Sequence, residues 1–355
     1  MRDPIRVLIL GTGQMGAGIA RLVLQKAGLE LAGAYARRAH RAGMDLGQAI
    51  GLGKVLRMPI GVDLERLIAE TNPEIAIQAT CSTAADAMVE IATLLRHGVN
   101  VISIAEEMAY PKYRSPAIAE ELHWLAVKQG VSVLGTGINP GFVLDLLVIT
   151  LTAVCADIQS ITARRINDLS PYGPSVLRSQ GVGLSPQDFE TGLQNGTVVG
   201  HIGFTESVHM IAKAVGWEID DLQETRQPII SRVRRQTAFV TVEPGQAAGC
   251  NHTAVAYAAG KPVITLIHPQ QVLPELEGTE TGDRIEIQGT PDIHLAGSPE
   301  IPGGQATMAL AVNMIPRVLN AAPGLYNMTE LPAPAAMLAD ARSFLREQLI
   351  EVRND

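Results

Sequence analysis

The sequence has few aromatic residues, few cysteines and no strong excess of either charge. Aromatic residues make up 4% of the 355 residues, and the three cysteines, Cys81, Cys155 and Cys250, lie far apart in the chain. This spacing excludes a disulfide framework and a C-x-x-C metal site, so we expect a reducing, cytoplasmic compartment. The formal net charge of −8 gives no reason to expect nucleic acid or an anionic membrane as a partner.

The chain also lacks a long hydrophobic run and a low-complexity tract. Its longest apolar stretch, residues 142–156, is interrupted by Asp145 and is too short to cross a bilayer, so it predicts a buried helix. Residues 1–4 lead directly into an apolar strand, and we therefore expect no secretory signal peptide. A length of 355 residues, of which 46% are hydrophobic and 18% charged, predicts a globular protein of two domains.

The most informative feature that is present is an apolar strand, residues 5–10, that runs directly into the motif G-x-G-x-x-G. The first glycine permits a tight turn, the second lets the main chain approach a pyrophosphate, and the third lets the next helix pack on its strand. A second predicted strand, residues 30–36, completes the unit, and the motif therefore predicts a dinucleotide site. The residues expected to bind the cofactor in this loop are Gly11, Gly13, Gln14, Met15 and Gly16.

The residues after the second strand favour NADP as the cofactor. Where an NAD-dependent enzyme usually has an acid for the ribose 2′-hydroxyl, this chain has Ala36, followed by Arg37 and Arg38. A guanidinium group can bind the 2′-phosphate of NADP. An ordinary solvated loop is the alternative interpretation of two adjacent arginines. We expect NADP to be used and NAD to be accepted as well.

Strands and helices alternate over the first 140 residues. The further predicted strands are residues 74–80, 100–104 and 131–134. Thr83, followed three residues later by an aspartate, predicts the start of one helix, and Ser115-Pro116 predicts another. This alternation is typical of an α/β domain with a doubly wound parallel sheet, the Rossmann fold. Its strand ends are expected to bring three loops to one crevice, residues 79–82, 105–108 and 135–141.

A second, α+β domain is predicted over residues 141–304, with a mainly antiparallel sheet. Its expected strands are residues 158–166, 228–242, 261–267 and 283–287, and its expected helices begin near Ser185 and Thr205. From Gln305 onward the chain is predicted to be helical, with a kink or break at Pro316, and to pack back on the first domain.

Short polar stretches between glycines and prolines occur throughout the second domain. Their cationic, amide and imidazole groups would suit a small polar substrate that carries a carboxylate. Turns and caps are the alternative interpretation of each stretch. A zinc site is a further alternative on residue types, but no two of the histidines have metal-ligand spacing, so no metal is expected. The histidines considered are His201, His252, His268 and His294.

Five segments together resemble the 2,4-diaminopentanoate dehydrogenase family and the amine dehydrogenases similar to it. They are IAEEMAYP at 104–111, LGTGINPGF at 134–142, RINDLSP at 165–171, GCNH at 249–252 and IPGG at 301–304. The resemblance runs over almost the whole chain. It implies a dihydrodipicolinate-reductase-like architecture, a nicotinamide cofactor, reversible deamination at an amine carbon, and a homodimer formed through the second domain.

The resemblance also implies roles for particular residues. Glu106, which follows the strand at 100–104, falls where the family has its catalytic glutamate, and Glu107 remains an alternative. Arg165 is the expected partner of a substrate carboxylate, with Arg164 as its rival. The positions that line the substrate pocket in the family are Asn139, Arg165, Asn167, His201, His268 and Thr307. Further residues expected at the cofactor are Thr80, Cys81, Ser82, Ala105 and Asn139.

The expected reaction is therefore NAD(P)-dependent oxidative deamination of 2,4-diaminopentanoate at its C4 amine, giving 2-amino-4-oxopentanoate and ammonia. Three alternatives stay open. A broad amine dehydrogenase would act on simple amines and ketones. An imine reductase of the dihydrodipicolinate reductase type is less favoured, since the chain has no adjacent histidines. A regulator that binds NADP without catalysis is disfavoured by the acid at position 106.

Overall fold

The computed structural model describes residues 2–346. Contacts between residues divide this part of the chain into two compact units: residues 2–137 together with 304–346, and residues 138–303. In this range no helix has both the length and the hydrophobicity that crossing a membrane requires.

The β-strands of both units are numbered in chain order. They are β1 (Ile5–Leu10), β2 (Leu29–Tyr35), β3 (Ile75–Gln78), β4 (Asn100–Ser103), β5 (Ser132–Gly135), β6 (Asp157–Asp168), β7 (Asp221–Ile230), β8 (Arg235–Gln236), β9 (Thr241–Val242), β10 (Ala247–Ala258), β11 (Lys261–Gln271), β12 (Gly282–Thr290), β13 (Ile293–Gly297) and β14 (Gly324–Tyr326).

The α-helices are α1 (Gln14–Gln25), α2 (Leu46–Ala49), α3 (Leu64–Thr71), α4 (Ala84–Arg96), α5 (Pro111–Arg114), α6 (Pro116–Gln129), α7 (Leu146–Thr152), α8 (Pro174–Ser179), α9 (Pro186–Asn195), α10 (Phe204–Val215), α11 (Gly303–Asn313) and α12 (Ile315–Leu319). Short 3-10 helices occur at Ala39–Arg41, Glu106–Ala109, Pro274–Glu277 and Ala341–Phe344.

The first unit contains a six-stranded sheet in the order β14-β5-β4-β3-β1-β2, in which every pair is parallel. The predicted doubly wound parallel sheet is confirmed. One buried cluster packs Leu8 of β1 and Val101 of β4 against Ile91 of α4 and Leu122 of α6. Strands buried in this way hold the loops at their carboxyl ends in fixed positions, which is where ligands bind in such sheets.

The two helix starts predicted in this unit are also confirmed. Thr83 accepts a hydrogen bond at Oγ1 from the backbone N–H of Asp86 (3.2 Å) and so caps α4. Helix α6 begins at Pro116 and ends before Gly130, whose φ of +71° suits a residue without a side chain.

The second unit contains a six-stranded sheet in the order β13-β12-β6-β11-β10-β7. The pair β6–β11 is parallel and the other pairs are antiparallel, which confirms the prediction of a mainly antiparallel sheet. The strand predicted over residues 228–242 is wrong, because β7 ends at Ile230 and a separate hairpin, β8–β9, follows. The chain turns there because the buried Arg235 donates to Ser231 Oγ and to the carbonyl of Val272. Strands β10 and β13 were not predicted.

The buried helix predicted over residues 142–156 is also wrong in extent, because only Leu146–Thr152 is helical. The carboxylate of Asp145 accepts hydrogen bonds from the N–H groups of Gly141 (2.7 Å) and Leu146 (2.6 Å) and from Ser207 Oγ (2.9 Å). A capping carboxylate at this position begins the helix at residue 146 and holds the preceding residues in a turn.

Among the described residues the C-terminal segment is α-helical only as far as Leu319, and a short 3-10 helix follows at Ala341–Phe344. The predicted break is present, since α11 ends at Asn313 and α12 has Pro316 in its first turn. The prediction of helix beyond this point is wrong, because β14 instead adds an edge strand to the first sheet, pairing Gly324 with Ser132. Residues 347–355, which the prediction included, lie outside the described residues.

Candidate active site

The glycine loop between β1 and α1 has the geometry that a pyrophosphate needs. A Cβ at Gly11 would lie 2.5 Å from the carbonyl oxygen of Ala79, and one at Gly16 would lie 1.9 Å from that of Gly11. A Cβ at Gly13 would meet nothing within 4 Å, which leaves the main chain approachable there. Gly13 caps α1 without a side-chain hydrogen bond, and Gln14 and Met15 begin the helix. These residues fit the phosphates of a dinucleotide.

The two arginines after β2 have different surroundings. Arg37 donates from Nε to Glu90 Oε1 (2.6 Å) and from Nη2 to the carbonyl of Asp86 (2.7 Å). The exposed side chain of Arg38 makes no hydrogen bond or ion pair with any residue in the range 2–346. The structure thus fixes the first guanidinium on α4 and leaves the second on the surface.

The loop after β3 carries the next three predicted cofactor residues. Thr80 donates from Oγ1 to Glu90 Oε2 (2.5 Å), and the half-buried Cys81 has its Sγ 3.7 Å from Arg37 Nη2. Burial raises the pKa of the Cys81 thiol. The carbonyl of Ser82 accepts from the N–H of Glu107 (3.1 Å), so this loop is joined directly to the loop after β4.

The adjacent glutamates after β4 differ in environment. Ala105 is buried, and Glu106 begins a 3-10 helix in the first unit. Burial raises the pKa of Glu106 to about 7, and the charge of Glu107 adds to the rise, while hydrogen bonds from its own backbone N–H and from Ser82 oppose it. Glu107 Oε2 accepts from the N–H of Ala84 (2.9 Å), the first residue of α4. Glu107 is therefore engaged in capping a helix, whereas Glu106 has the pKa of a group that can exchange protons near neutral pH.

Four of the predicted pocket residues form a cluster within the second unit. His268 lies between two amides, with Nδ1 3.3 Å from Asn139 Nδ2 and Nε2 2.8 Å from Asn167 Oδ1. Its ring is 4.8 Å from that of His201. Burial lowers the pKa of His201 to about 3 and that of His268 well below its ordinary value, so both imidazoles are neutral. Asn139 Oδ1 and His201 Nε2 are buried without a hydrogen-bond partner among the described residues.

Arg165 is on the buried face of β6, and its exposed neighbour Arg164 lies on the opposite face of the strand. The Arg165 guanidinium pairs from Nη1 with Asp283 Oδ1 (2.6 Å) and donates from Nη2 to the carbonyl of Ile301 (2.5 Å). Two donors are used within the protein in this way, and the other N–H groups of the guanidinium can still bind an anion.

Thr307, His252 and His294 are placed in three different elements. Thr307 is in α11 and belongs to the first unit. His252 donates from Nε2 to Glu224 Oε2 (3.1 Å) and accepts at Nδ1 from the N–H of His201 (3.1 Å), and His294 is exposed on β13. Within residues 2–346, no three histidine, cysteine or carboxylate side chains are placed to hold a metal ion.

Sequence reasoning missed Glu90 and Asp283, the carboxylates that hold Arg37 and Arg165. A signal for Glu90 was present, since it shares a helical face with Ala87 and Leu94, and an acid on an apolar face needs a buried partner. Asp283 gave no comparable signal, because acids are common in strands with one solvent-exposed face.

Two family models match most of the chain. The family model of the 2,4-diaminopentanoate dehydrogenase C-terminal domain matches residues 142–347, and that of the dihydrodipicolinate reductase N-terminus matches residues 5–104. The chain belongs to the 2,4-diaminopentanoate dehydrogenase family. It is 41% identical over 348 residues to the 2,4-diaminopentanoate dehydrogenase of Acetoanaerobium sticklandii, covering 98% of each chain. The resemblance predicted from the sequence is confirmed.

Two further relatives support this placement. An amine dehydrogenase of Streptomyces virginiae is 25% identical over 362 residues, which cover 94% of this chain and 98% of the relative. The solved structure of an amine dehydrogenase from Mycobacterium smegmatis superposes with a TM-score of 0.85 at 25% identity, covering 95% of this chain and 98% of that one. Membership of this family confirms the predicted NAD(P)-dependent oxidoreductase of the amine dehydrogenase class.

Proposed function

We propose that the protein catalyses the reversible oxidative deamination of 2,4-diaminopentanoate at its C4 amine, giving 2-amino-4-oxopentanoate and ammonia. The observation that carries this proposal is the Glu106 carboxyl, whose pKa of about 7 suits proton transfer and which lies three residues after β4 of a dinucleotide-binding sheet. The relative that is 41% identical supports the choice of substrate.

The role of Glu106 follows from the chemistry of amines. An amine can lose hydride from its carbon only as the neutral species, so the incoming ammonium must first give a proton to a base. Ionised Glu106 accepts this proton, and NAD(P), when bound, accepts the hydride. Hydride loss leaves an iminium ion, and when water adds to its carbon Glu106 passes the proton that the water loses to the nitrogen, so that ammonium leaves and the carbonyl forms. Glu106 then releases to solvent the proton that it took from the substrate and is ionised again. A pKa near 7 allows one carboxyl to act in both directions.

The proposed substrate site consists of Asn139, Arg165, Asn167, His201, His268 and Thr307. Neutral imidazoles and amide oxygens can accept hydrogen bonds from the C2 ammonium without repelling it. The unused donors of Arg165, oriented by Asp283, would bind the carboxylate. Buried Arg165 is better shielded from water than exposed Arg164, which supports its assignment.

The proposal also covers the cofactor preference, the oligomeric state and the cellular location of the protein. Arg37 and Arg38, together with the absence of an acid at residue 36, support NADP as the preferred cofactor, with NAD also accepted. The sheet of the second unit would form a two-fold homodimer. The absence of paired cysteines supports a cytoplasmic location.

A substrate panel tests the proposal. Formation of reduced nicotinamide is followed with 2,4-diaminopentanoate, ornithine, simple amines and dihydrodipicolinate, each with NADP and with NAD. The proposal predicts the highest kcat/KM for 2,4-diaminopentanoate. Higher values for simple amines would favour the broad amine dehydrogenase, which the Streptomyces and Mycobacterium relatives make the second candidate.

A further inference from the structure

Helix α4 buries a carboxylate that the proposed reaction does not use. The Glu90 side chain is 6% exposed, and it pairs with Arg37, which is 37% exposed. Its Oε1 accepts from Arg37 Nε (2.6 Å) and its Oε2 from Thr80 Oγ1 (2.5 Å). Burying a charge costs free energy unless the charge is paired, so Glu90 and Arg37 stabilise each other's positions.

The Arg37 guanidinium is held on two sides by α4. Besides Glu90, the carbonyl of Asp86 accepts from Nη2 (2.7 Å), whereas Nη1 has no hydrogen-bond partner in residues 2–346. Arg37 lies two residues after the end of β2, where a Rossmann fold contacts the adenosine ribose. A guanidinium with one free nitrogen is thus presented at this point, beside a carboxylate that offsets its charge.

The same carboxylate is part of a longer buried network. Gln78 donates from Nε2 to Thr80 Oγ1 (2.7 Å) and accepts at Oε1 from Ser103 Oγ (2.6 Å), which in turn accepts from the N–H of Ala105 (3.2 Å). Gln78 and Ser103 are fully buried. Side chains whose hydrogen bonds are all made within a buried network have little conformational freedom. The network therefore fixes the position of Glu90 and, through Glu90, that of Arg37.

From this geometry we infer that Glu90 is a positioning residue that sets the preference between NADP and NAD. It holds Arg37 in place for the 2′-phosphate and, by offsetting the charge of Arg37, it moderates the attraction so that NAD is accepted as well. The inference rests on the proposed contact between Arg37 and the 2′-phosphate.

Two substitutions separate position from charge. Glu90→Gln keeps an oxygen for Arg37 and an amide for Thr80 but removes the negative charge, so the ratio of the NAD to the NADP dissociation constant should rise about three- to tenfold. Glu90→Met removes both the charge and the hydrogen bonds, so Arg37 loses its ion pair and keeps its contact with the carbonyl of Asp86, and the ratio should fall toward that of Arg37→Ala. Glu70→Gln, which breaks an exposed pair with Arg66, is the matched control and should leave the ratio unchanged.

The experiment is calorimetric titration of each variant with NADP and NAD without amine, so it does not depend on the identity of the substrate. The NAD dissociation constant and the melting temperature report whether each variant is folded. In the double variant Arg37→Ala/Glu90→Gln, the ratio should equal that of Arg37→Ala alone. An unchanged ratio in Glu90→Gln, with a clear fall in Arg37→Ala, overturns the role of Glu90 only. An unchanged ratio in Arg37→Ala overturns both this role and the proposed phosphate contact.

Discussion

Glu106 and Glu107 are neighbours in the sequence, yet their surroundings give them different chemistry. One carboxyl is desolvated with a pKa of about 7, and the other accepts from the first N–H of α4. The sequence predicted the pair and, by family resemblance, preferred the first. It could not predict the difference in environment, because the hydrogen bond from Ala84 joins residues that are distant in the chain.

A raised pKa at Glu106 has a consequence for stability. The folded-state pKa of about 7 exceeds the ordinary value of 4.5, so the unfolded chain releases this proton at a lower pH than the folded chain does. The free energy of unfolding therefore falls as the pH rises from 4.5 to about 7. Glu106→Gln removes that penalty. We expect its free energy of unfolding to exceed that of the wild type by on the order of 2 kcal/mol at about pH 8 and to match it at about pH 4.

Thermal melts at both pH values check this expectation. Glu120→Gln, at an exposed position of α6, is the control and should give no comparable gain. An equal effect of Glu106→Gln at both pH values would show that ionisation of Glu106 carries no penalty in the folded protein.

Arg165 allows a test of substrate recognition. Arg165→Met keeps much of the side-chain volume and removes the donors, so KM for 2,4-diaminopentanoate should rise about tenfold or more, while simple amines without a carboxylate are little affected. Steady-state kinetics with both substrate types measure this. A similar decline for both would mean that the pair with Asp283 has only a structural role.

At the scale of elements, capping patterns were the most reliable signal in the sequence. Thr83-x-x-Asp86 and Ser185-Pro186 both predicted helix starts, and in both helices the hydroxyl accepts from the N–H three residues later. These contacts lie within one turn, so the sequence alone specifies them. The break at β7 and the extent of α7 depend also on distant partners, since Arg235 donates to the carbonyl of Val272 and Asp145 accepts from Ser207 Oγ.

The two caps predict a matched pair of stability effects. Thr83→Ala and Ser185→Ala should each cost about 1 kcal/mol, because each leaves a first-turn N–H without its acceptor. Thr83→Ser retains the hydroxyl and should cost much less. Denaturant unfolding of the three variants measures the difference, and equal stability of Thr83→Ala and Thr83→Ser would contradict the capping role.

At the scale of the whole molecule, the parallel sheet and the mainly antiparallel sheet could both be predicted from hydrophobic patterns and loop residues. The short strands β13 and β14 were not predicted, since five and three residues are too few to show a hydrophobic pattern, and the longer β10 was also missed. The glycine loop was recognisable because its geometry is local. The cluster of Asn139, Asn167, His201 and His268 comes from segments far apart in the chain, and only family resemblance brought those residues together before the structure did.

The proposed homodimer is a property of the whole molecule. Light scattering during size-exclusion chromatography should give about twice the chain mass of 37.8 kDa. Glu286→Arg, on an exposed position of β12, should weaken the dimer if the sheet of the second unit forms the interface. A monomer in the wild type would contradict the proposal.

The most direct test of the account is kcat for deamination of 2,4-diaminopentanoate across pH in the wild type, Glu106→Gln and Glu107→Gln. In the wild type kcat should rise with pH through about 7 as Glu106 ionises. In Glu106→Gln, kcat should no longer rise with pH through this range and should be lower by a factor of about 10²–10⁴, with NADP affinity nearly unchanged. In Glu107→Gln, kcat should fall much less. Near-normal turnover in Glu106→Gln, or a collapse in Glu107→Gln alone, would contradict the central claim.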